Sequence, residues 1–459
     1  MNLTSAAPGT PEALLDRLLQ ALDARWVGVK RLEAYYAGDH PLPTMPTSSQ
    51  AMQAETAYRR LLQMGRTNWC RLVADAPAER LQVTGFRSGL DQSVDAEVWD
   101  LWQRNQLDAD SALVHSTALV TGQAFALVWA DANGEPVITP EHPSQCIVAY
   151  ERGTRRVRRA GAKVWIDDNG FVNATLWTPR WMYKYRTTHQ AQTLTGNDWV
   201  AREVAGEPWP APNKLGVVPL VEFRANPTLT PAPLGGGCGE FEPVIDIQDR
   251  VNRTLFTRLL AGEFGAFRQR WVVGMDLEVD PVTGRVPEPF RAAIDRLWMV
   301  DDPDVKFGEF SATDLRPFID AIEADVTHLA AITKTPPHYL LGKEVNISAE
   351  ALKAAEAGLV AKTARHRDQF SEAWEEVLRL AVAIRDPQDA RAQDLSSMVL
   401  WRDIEQRTWG ETVDAVLKMQ ALGVPQEALW EMLPGVTPQD VARWRTMSAS
   451  AAFTAALGA

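Results

Sequence analysis

The sequence predicts an α+β multidomain protein, because three patterns follow one another along its 459 residues. The N-terminal half mixes helical spacing with short apolar runs, and residues 136–224 are mostly strand-like. Two long helical patterns, 240–265 and 312–334, then flank a short segment rich in turns. A longer helical pattern and a helical tail complete the chain. At roughly 100–200 residues per domain, this length suggests two to four domains.

The elements of the N-terminal half follow from hydrophobic spacing. In residues 11–37 leucines recur every three or four positions and Pro11 stands near the start, which favours a helix. A second helix is predicted over 52–80. The next predicted elements are a strand at 80–86, a helix at 111–122 that ends at Gly122, and a strand at 123–130.

A hairpin and a glycine-rich segment come next. Residues 163–177 place Asn169-Gly170 between two apolar runs, which predicts a hairpin with a tight turn. The glycines of "GGGCG" at 235–239 lack the lysine and hydroxyl residue of a phosphate-binding P-loop. We therefore interpret this segment as a flexible hinge before the helical half.

The middle of the chain has an unusual plan for an enzyme core. Residues 266–311 contain short strand-like runs such as "RWVVGMD" and "DVKFGEF", and they separate two helices of similar length. Ser311 and Asp314 have the spacing of a capping box for the second of these helices. The arrangement resembles a stalk with a tip.

Two adjacent prolines define the end of the second long helix. Pro336 and Pro337 stop it because the residue before a proline avoids the α region. Residues 335–347 are predicted to form a loop. A helix on the order of 50 Å long follows over 348–384, at 1.5 Å per residue.

Charge and cysteine content exclude several classes of protein. The net charge is −12, so tight binding of nucleic acid over a broad basic surface is not expected. Three widely spaced cysteines argue against a zinc site or a disulfide framework. The N-terminal residues lack signal-peptide character, and no apolar run is long enough to span a membrane.

Catalytic and metal-binding motifs are absent from the sequence. The seven histidines form no HxxxH or HExxH pair, and there is no nucleophile elbow. Acidic residues at 276, 278 and 280 do not match a calcium loop and are interpreted as solvated turn residues. Within the loop, His338 is the histidine that most favours a functional contact. We expect no catalytic residue, no metal and no cofactor.

Several segments together resemble the portal proteins of tailed bacteriophages over nearly the whole chain. They include "RLEAYYAGDHPLP", "EPVIDIQDRVNRTLFTRLLAGEFGAFRQRWVVG", "TKTPPHYLLGKEVNISAEALKAAEAGLVAK" and "WGETVDAVLKMQALGVPQEALWEML". The resemblance implies a portal-like subunit with an α/β wing, two stem helices flanking a small β-containing clip, a channel loop and a helical crown. The implied divisions are 1–239 wing, 240–265 stem helix 1, 266–311 clip, 312–334 stem helix 2, 335–347 tunnel loop, 348–384 long helix and 385–459 crown.

The resemblance also implies a function and a set of partners. The chain is expected to form a ring, usually of twelve subunits, at one capsid vertex, through which double-stranded DNA enters and leaves. The expected partners are the terminase large subunit, a head-to-tail adaptor, and the major capsid and scaffolding proteins, with no membrane. The expected location is the virion, after assembly in the host cytoplasm.

Two groups of residues are candidates for these roles. The DNA-facing group lies in the loop and comprises Pro336, Pro337, His338, Tyr339, Lys343, Glu344 and Asn346. The partner-docking group lies in the turn-rich segment and comprises Asp280, Pro281, Arg285, Pro287 and Glu288. Two alternatives stay open: a metal-dependent nuclease or hydrolase using His338 and Glu344, and a scaffold or peripheral membrane protein using its long helix.

Overall fold

The computed structural model describes most of the chain. The described residues are 3, 6–42, 55–89, 94–151, 154, 156–229, 236–266, 270–273, 304–309, 313–342, 349–405, 409–433 and 435–457. The chain divides into two compact units. The first comprises Met1–Pro41, Asn68–Gln248 and Thr327–Ala459, and the second comprises Leu42–Thr67 and Asp249–Val326.

The described residues contain both helices and strands. The helices are α1 (Pro11–Ala37), α2 (Glu55–Met64), α3 (Trp69–Ala78), α4 (Ala96–Arg104), α5 (Leu107–Thr121), α6 (Ile245–Ala266), α7 (Arg316–Thr333), α8 (Pro337–Leu341), α9 (Ala349–Arg385), α10 (Trp409–Ala421), α11 (Gln426–Trp430) and α12 (Pro438–Leu457). The strands are β1 (Val83–Arg87), β2 (Gln123–Ala130), β3 (Pro136–Glu141), β4 (Cys146–Tyr150), β5 (Arg158–Ile166), β6 (Phe171–Trp177), β7 (Trp181–Gln190), β8 (Trp199–Ala201), β9 (Ala211–Pro212), β10 (Leu220–Arg224), β11 (Arg270–Val273), β12 (Lys306–Glu309) and β13 (Met398–Trp401). No described helix combines the length and the apolar character needed to cross a bilayer.

In the first unit, α1 covers one face of an antiparallel sheet. The strand order is β4-β5-β6-β7-β8, and β9 also pairs with β7. The side chain of Thr10 accepts a hydrogen bond from the Ala13 amide at 3.3 Å and caps the start of α1. Gly38, at φ 78°, ends the helix. Buried leucines of α1 pack against alternate residues of the sheet, so burial of this face holds the helix in place.

A second core in the same unit surrounds α9. The three-stranded sheet β10-β2-β3 packs with α4, α5 and α9 around buried aromatic side chains. The ring of Trp374 lies 4.9 Å from that of Trp102 and 4.7 Å from that of Phe223, each in an edge-to-face contact. The pair β1-β13 brings residue 83 opposite residue 401 and closes this core.

The second unit contains most of α6 and α7. Arg250 of α6 donates two hydrogen bonds to Asp325 of α7, at 2.9 and 2.6 Å, in a bidentate ion pair. The Asn252 side chain accepts from the Thr67 amide and hydroxyl at 3.0 and 2.8 Å. In the sequence, strands β11 and β12 lie between these two helices, and they pair with each other antiparallel. The structure thus has helices where the sequence predicted 240–265 and 312–334, although α6 and α7 have different bounds.

Some element boundaries differ from the sequence prediction. The predicted helix over 52–80 is two helices, because the Asn68 side chain accepts from the Arg71 amide at 3.1 Å and starts a new helix. Helix α4, capped by Asp95, was not predicted. Helix α7 begins at Arg316 and not at residue 312, with Asp314 accepting from the Arg316 amide at 2.9 Å.

The glycine-rich segment is held in place where it is described. The amide of Cys238 donates to the Ala225 carbonyl at 2.9 Å. A Cβ at Gly237 would lie 2.0 Å from that same oxygen, and one at Gly239 would lie 2.4 Å from the Val120 oxygen. These glycines permit close approach of backbone to backbone, so a flexible hinge is the wrong interpretation for residues 236–239.

Candidate functional site

The segment after α7 begins with a left-handed residue. Lys334 has φ 53°, and the Thr335 amide donates to the Ala330 carbonyl at 3.0 Å, which closes the last turn of the helix. A non-glycine residue in this conformation costs about 1 kcal/mol. The hydrogen bond to Ala330 sets the direction in which the chain leaves α7. The next two residues, Thr335 and Pro336, are buried.

A short helix, α8, occupies part of the predicted loop. Pro337 stands at its first position, where a missing amide hydrogen costs nothing. Gly342, at φ 59°, ends it, and its amide donates to the His338 carbonyl at 3.1 Å. The sequence predicted loop throughout 335–347 because a helix of five residues leaves too little periodicity to recognise.

Helix α8 rests in a polar cradle formed by Arg80, Glu356 and Trp69. The Tyr339 hydroxyl donates to Glu356 Oε1 at 3.0 Å and accepts from Arg80 Nη2 at 2.9 Å. Arg80 also pairs with Glu356 Oε2 at 3.2 Å, and the Trp69 indole donates to the Leu340 carbonyl at 3.0 Å. Burial, together with the Glu356 carboxylate, raises the pKa of the Tyr339 hydroxyl. It therefore remains a donor at neutral pH.

A buried ion cluster lies beside the point where α7 ends. Glu240 Oε2 pairs with Lys362 Nζ at 2.8 Å, and Glu240 Oε1 accepts from His366 Nε2 at 2.7 Å. The side-chain Nδ2 of Asn226 donates to the same Oε1 at 2.6 Å. Lys362 also donates to the Thr333 carbonyl at 2.8 Å. The cluster thus joins the last residue of α7, the segment before α6, and α9.

The cluster has one favoured protonation state. Burial alone would raise the pKa of Glu240, but the hydrogen bond from His366 and the charge of Lys362 outweigh it and lower that pKa to about 2. His366 is fully buried, and its Nδ1 has no hydrogen-bond partner. With its pKa lowered in this way, Glu240 is ionised at neutral pH and accepts the hydrogen bond from His366 Nε2.

The structure locates four of the loop candidates. Pro336 is buried, Pro337 is exposed, and His338 is half-buried with its ring 4.7 Å from that of Tyr339. Tyr339 reaches the cradle described above. The other candidates lie outside the described residues: Lys343, Glu344 and Asn346 in the loop, and Asp280, Pro281, Arg285, Pro287 and Glu288 in the turn-rich segment. Within the described part of the chain, no group of three or more His, Cys, Asp or Glu side chains is placed to hold a metal ion.

Sequence reasoning missed the charged residues that fix this region. Arg80 and Glu356 are 276 positions apart, and Glu240 and His366 are 126 apart, so no local spacing connects them. A weak signal was present: Lys362 and His366 lie three and seven positions after Leu359, on the stripe of α9 that faces the core. A polar residue on such a stripe requires a buried partner.

The geometry alone does not show to which family the protein belongs, but a comparison with protein families does. The family model described as "Phage portal protein, SPP1 Gp6-like" matches residues 15–452. The chain belongs to this family. It is accordingly a portal vertex protein of a bacteriophage, a virion component that acts in DNA packaging as a homo-oligomeric ring.

Similar proteins agree with this assignment. The portal protein of Mycobacterium phage D29 is 28% identical over 453 residues, which cover 93% of this chain and 87% of the relative. That of Mycobacterium phage L5 is 30% identical over 405 residues, covering 84% and 76%.

Two chains of solved structures are distantly similar to this one. A chain in the neck of a native GTA particle computed with C12 symmetry has a TM-score of 0.46 at 12% identity, covering 89% of this chain and 99% of that one. A chain in the neck of an empty GTA particle computed with C6 symmetry has a TM-score of 0.41 at 13% identity, covering 87% and 96%.

Proposed function

We propose that residues 335–347 form the loop of this portal subunit that contacts DNA in the channel. The observation that carries this assignment is the cradle under α8. It fixes the start of the segment through Tyr339 and the Leu340 carbonyl, while α9 resumes at Ala349. The segment thus begins at a helix that is held in place and ends at the start of a long helix, as a loop that bears on passing DNA requires.

Lys343 is the proposed DNA contact within this loop. It is the sole lysine or arginine between the double proline and Lys353. One exposed ammonium–phosphate contact is worth on the order of 1 kcal/mol at physiological salt. Contacts of that strength, repeated around a ring that we expect to have twelve subunits, suit sliding and do not hold DNA in place. The adjacent carboxylate of Glu344 would offset part of the charge of Lys343.

A second proposal concerns the turn-rich segment between α6 and α7. We propose that 266–311 docks the terminase large subunit during packaging and a head-to-tail adaptor afterwards, with Asp280, Pro281, Arg285, Pro287 and Glu288 as contacts. The antiparallel pairing of β11 with β12, which lie near the two ends of this segment in the chain, supports this proposal. The chain itself is proposed to have no enzymatic activity, since packaging is driven by a separate ATPase.

The test of the loop assignment is the length of the packaged genome in mutant particles. Lys343→Ala should spare ring assembly and incorporation into particles, yet change how much DNA is packaged or retained. Lys353→Ala, at an exposed position on α9, is the matched control and should package the normal length. Normal length and yield with Lys343→Ala, and also with the loop shortened between Tyr339 and Val345, would show that the loop does not act on DNA.

A further inference from the structure

One face of the six-stranded sheet carries four cationic side chains, although the protein is acidic overall. These residues, Lys163, Lys184, Arg186 and Arg202, are called the cationic face below. Strand register places Lys163 and Lys184 opposite Thr175 on either side, and Arg186 opposite Asn173. Arg202 lies opposite Lys184, because the Arg202 amide donates to the Lys184 carbonyl at 2.8 Å. The opposite face of the same strands is the one buried by α1.

The two lysines of this face already have partners, but the two arginines do not. Lys163 pairs with Glu141 and Lys184 pairs with Glu207, each at 2.5 Å. Among the residues that the structure describes, neither the Arg186 nor the Arg202 guanidinium makes an ion pair or a hydrogen bond. The buried Nε of Arg202 has no acceptor.

The neighbouring Asp167 carboxylate does not supply the missing partner, because the β5–β6 turn uses its oxygens. Oδ1 accepts from the Asn169 and Phe171 amides, both at 3.0 Å. Oδ2 accepts from the Asn173 side chain at 2.9 Å. Burial lowers the pKa of Arg202, the charge of Glu207 opposes that effect, and the nearby charge of Arg186 adds to it. The two guanidiniums therefore lie close enough to act on each other.

Aromatic rings hold both guanidiniums in place. Arg186 lies over the ring of Phe171 at 4.8 Å from its centroid, and Arg202 lies over the ring of Trp165 at 5.2 Å. Stacking fixes the plane of a guanidinium while leaving its N–H edges free. That arrangement suits bidentate recognition of a carboxylate.

We propose that the cationic face docks an extended acidic segment of a partner protein through Arg186 and Arg202. Arg186 on β7 and Arg202, which directly follows β8, occupy diagonal positions of the sheet, and such positions are about 7–8 Å apart in antiparallel pairs. Acidic residues two positions apart on an extended chain are separated by about 6.6–6.8 Å, which matches this spacing. Val200, opposite Arg186 and 42% exposed, offers an apolar contact beside them.

The charge balance favours a peptide over nucleic acid. The four cations are interleaved with the carboxylates of Glu141, Glu207 and Asp167, so the face carries little excess charge. Duplex DNA requires many uncompensated cations, and this face offers two that have no ion-pair partner among the described residues. A pair of stacked guanidiniums is enough for two carboxylates.

The proposal is tested by binding of a fluorescein-labelled peptide of Glu-Thr repeats, measured by anisotropy at low salt. The wild-type protein should bind it saturably below ~1 mM, and a peptide of Gln-Thr repeats should not bind. The double variant Arg186→Gln/Arg202→Gln should bind about tenfold more weakly, because two charge-assisted pairs are lost. It should still fold, since each guanidinium contacts the rest of the structure only by stacking on one aromatic ring among the described residues.

The matched control removes the same charge elsewhere. Arg17→Gln/Arg31→Gln changes two exposed arginines on α1, of which Arg31 also stacks on a ring, at 5.8 Å from Tyr35. It should bind the peptide as wild type does. Absence of saturable binding, or equal binding by the two double variants, overturns the proposal. So does tighter binding of a short DNA duplex that depends on Arg186 and Arg202, because it would assign the face to nucleic acid.

Discussion

His115 shows at the residue scale how a buried titratable group ties stability to pH. Its Nε2 accepts from the Trp374 indole at 2.8 Å, so its Nδ1–H donates to the Leu81 carbonyl at 3.1 Å. Burial lowers the pKa of His115 from 6.5 to about 3. Because the pKa is lower in the folded protein, the unfolded chain binds the proton at a higher pH than the folded protein does. Stability is therefore complete above pH 6.5 and falls as the pH drops towards 3.

The first prediction follows from that sign. Between pH 7 and pH 5 the wild-type protein should lose about 2 kcal/mol of unfolding free energy through His115. His115→Gln removes the titration, so the variant should be less stable at pH 7 but lose less stability on acidification. Urea unfolding followed by tryptophan fluorescence at both pH values checks this. His189→Gln, at an exposed position, serves as control, and equal pH dependence in all three proteins would contradict the prediction.

The buried cluster at Glu240 carries the second prediction. Glu240→Gln leaves the Lys362 ammonium, 11% exposed, without a charge partner, and should cost about 3–5 kcal/mol. Adding Lys362→Met should recover part of that loss, because it removes the stranded charge. Denaturant unfolding of the wild type and both variants measures the difference. If the double variant is no more stable than Glu240→Gln, the ion pair is not the source of the effect.

The same cluster predicts a second acid-sensitive range. A Glu240 pKa of about 2, below its ordinary 4.5, gives stability that is present above pH 4.5 and is lost as the pH falls towards 2. This range lies below most of that of His115, so acid unfolding should become steeper under about pH 4.5. Glu240→Gln should remove that steepening and leave the His115 range unchanged.

At the scale of elements, the cradle makes α8 part of the body of the first unit. Tyr339→Phe removes both hydrogen bonds of the hydroxyl but leaves the Arg80–Glu356 pair, so it should cost about 1 kcal/mol. Opening of α8 should become about fivefold more frequent. Hydrogen exchange at the Gly342 amide, which α8 protects, reports that opening.

The control for α8 is Tyr183→Phe, a tyrosine that lies on β7 within the same unit. It should leave exchange at Gly342 unchanged. Unchanged exchange in Tyr339→Phe as well would mean that the Trp69 contact to Leu340 holds the helix without Tyr339.

The sequence predicted elements well where periodicity is long and caps are local. Helices α1 and α9 were expected over 11–37 and 348–384 and run over Pro11–Ala37 and Ala349–Arg385. Helix α8 has too few residues for a pattern. The Glu240 cluster, the Arg80 cradle and the stacked arginines all join residues from distant parts of the chain, which a single sequence does not connect.

At the scale of the whole molecule, α7 carries an apolar residue that the described part of its own subunit does not cover. On one face of this helix Val326 and Ala330 are buried, but Ile319 is 41% exposed. Proteins of this family form rings. In such a ring a neighbouring subunit can cover an exposed apolar residue, because repeated head-to-tail contacts between subunits close the ring.

The last prediction tests whether this face of α7 closes the ring. Ile319→Asp should leave the subunit folded, because the position is exposed, but should shift assembly from rings towards monomers in native mass spectrometry. Ala321→Asp is the matched control: it adds the same charge to an exposed position about 200° around the same helix, at about 100° per residue. Its rings should persist. Rings of normal size and stability from Ile319→Asp across salt concentrations would show that the neighbouring subunit does not cover Ile319. Monomers from both variants would mean that added charge anywhere on α7 prevents assembly, so that burial of this face is not the cause.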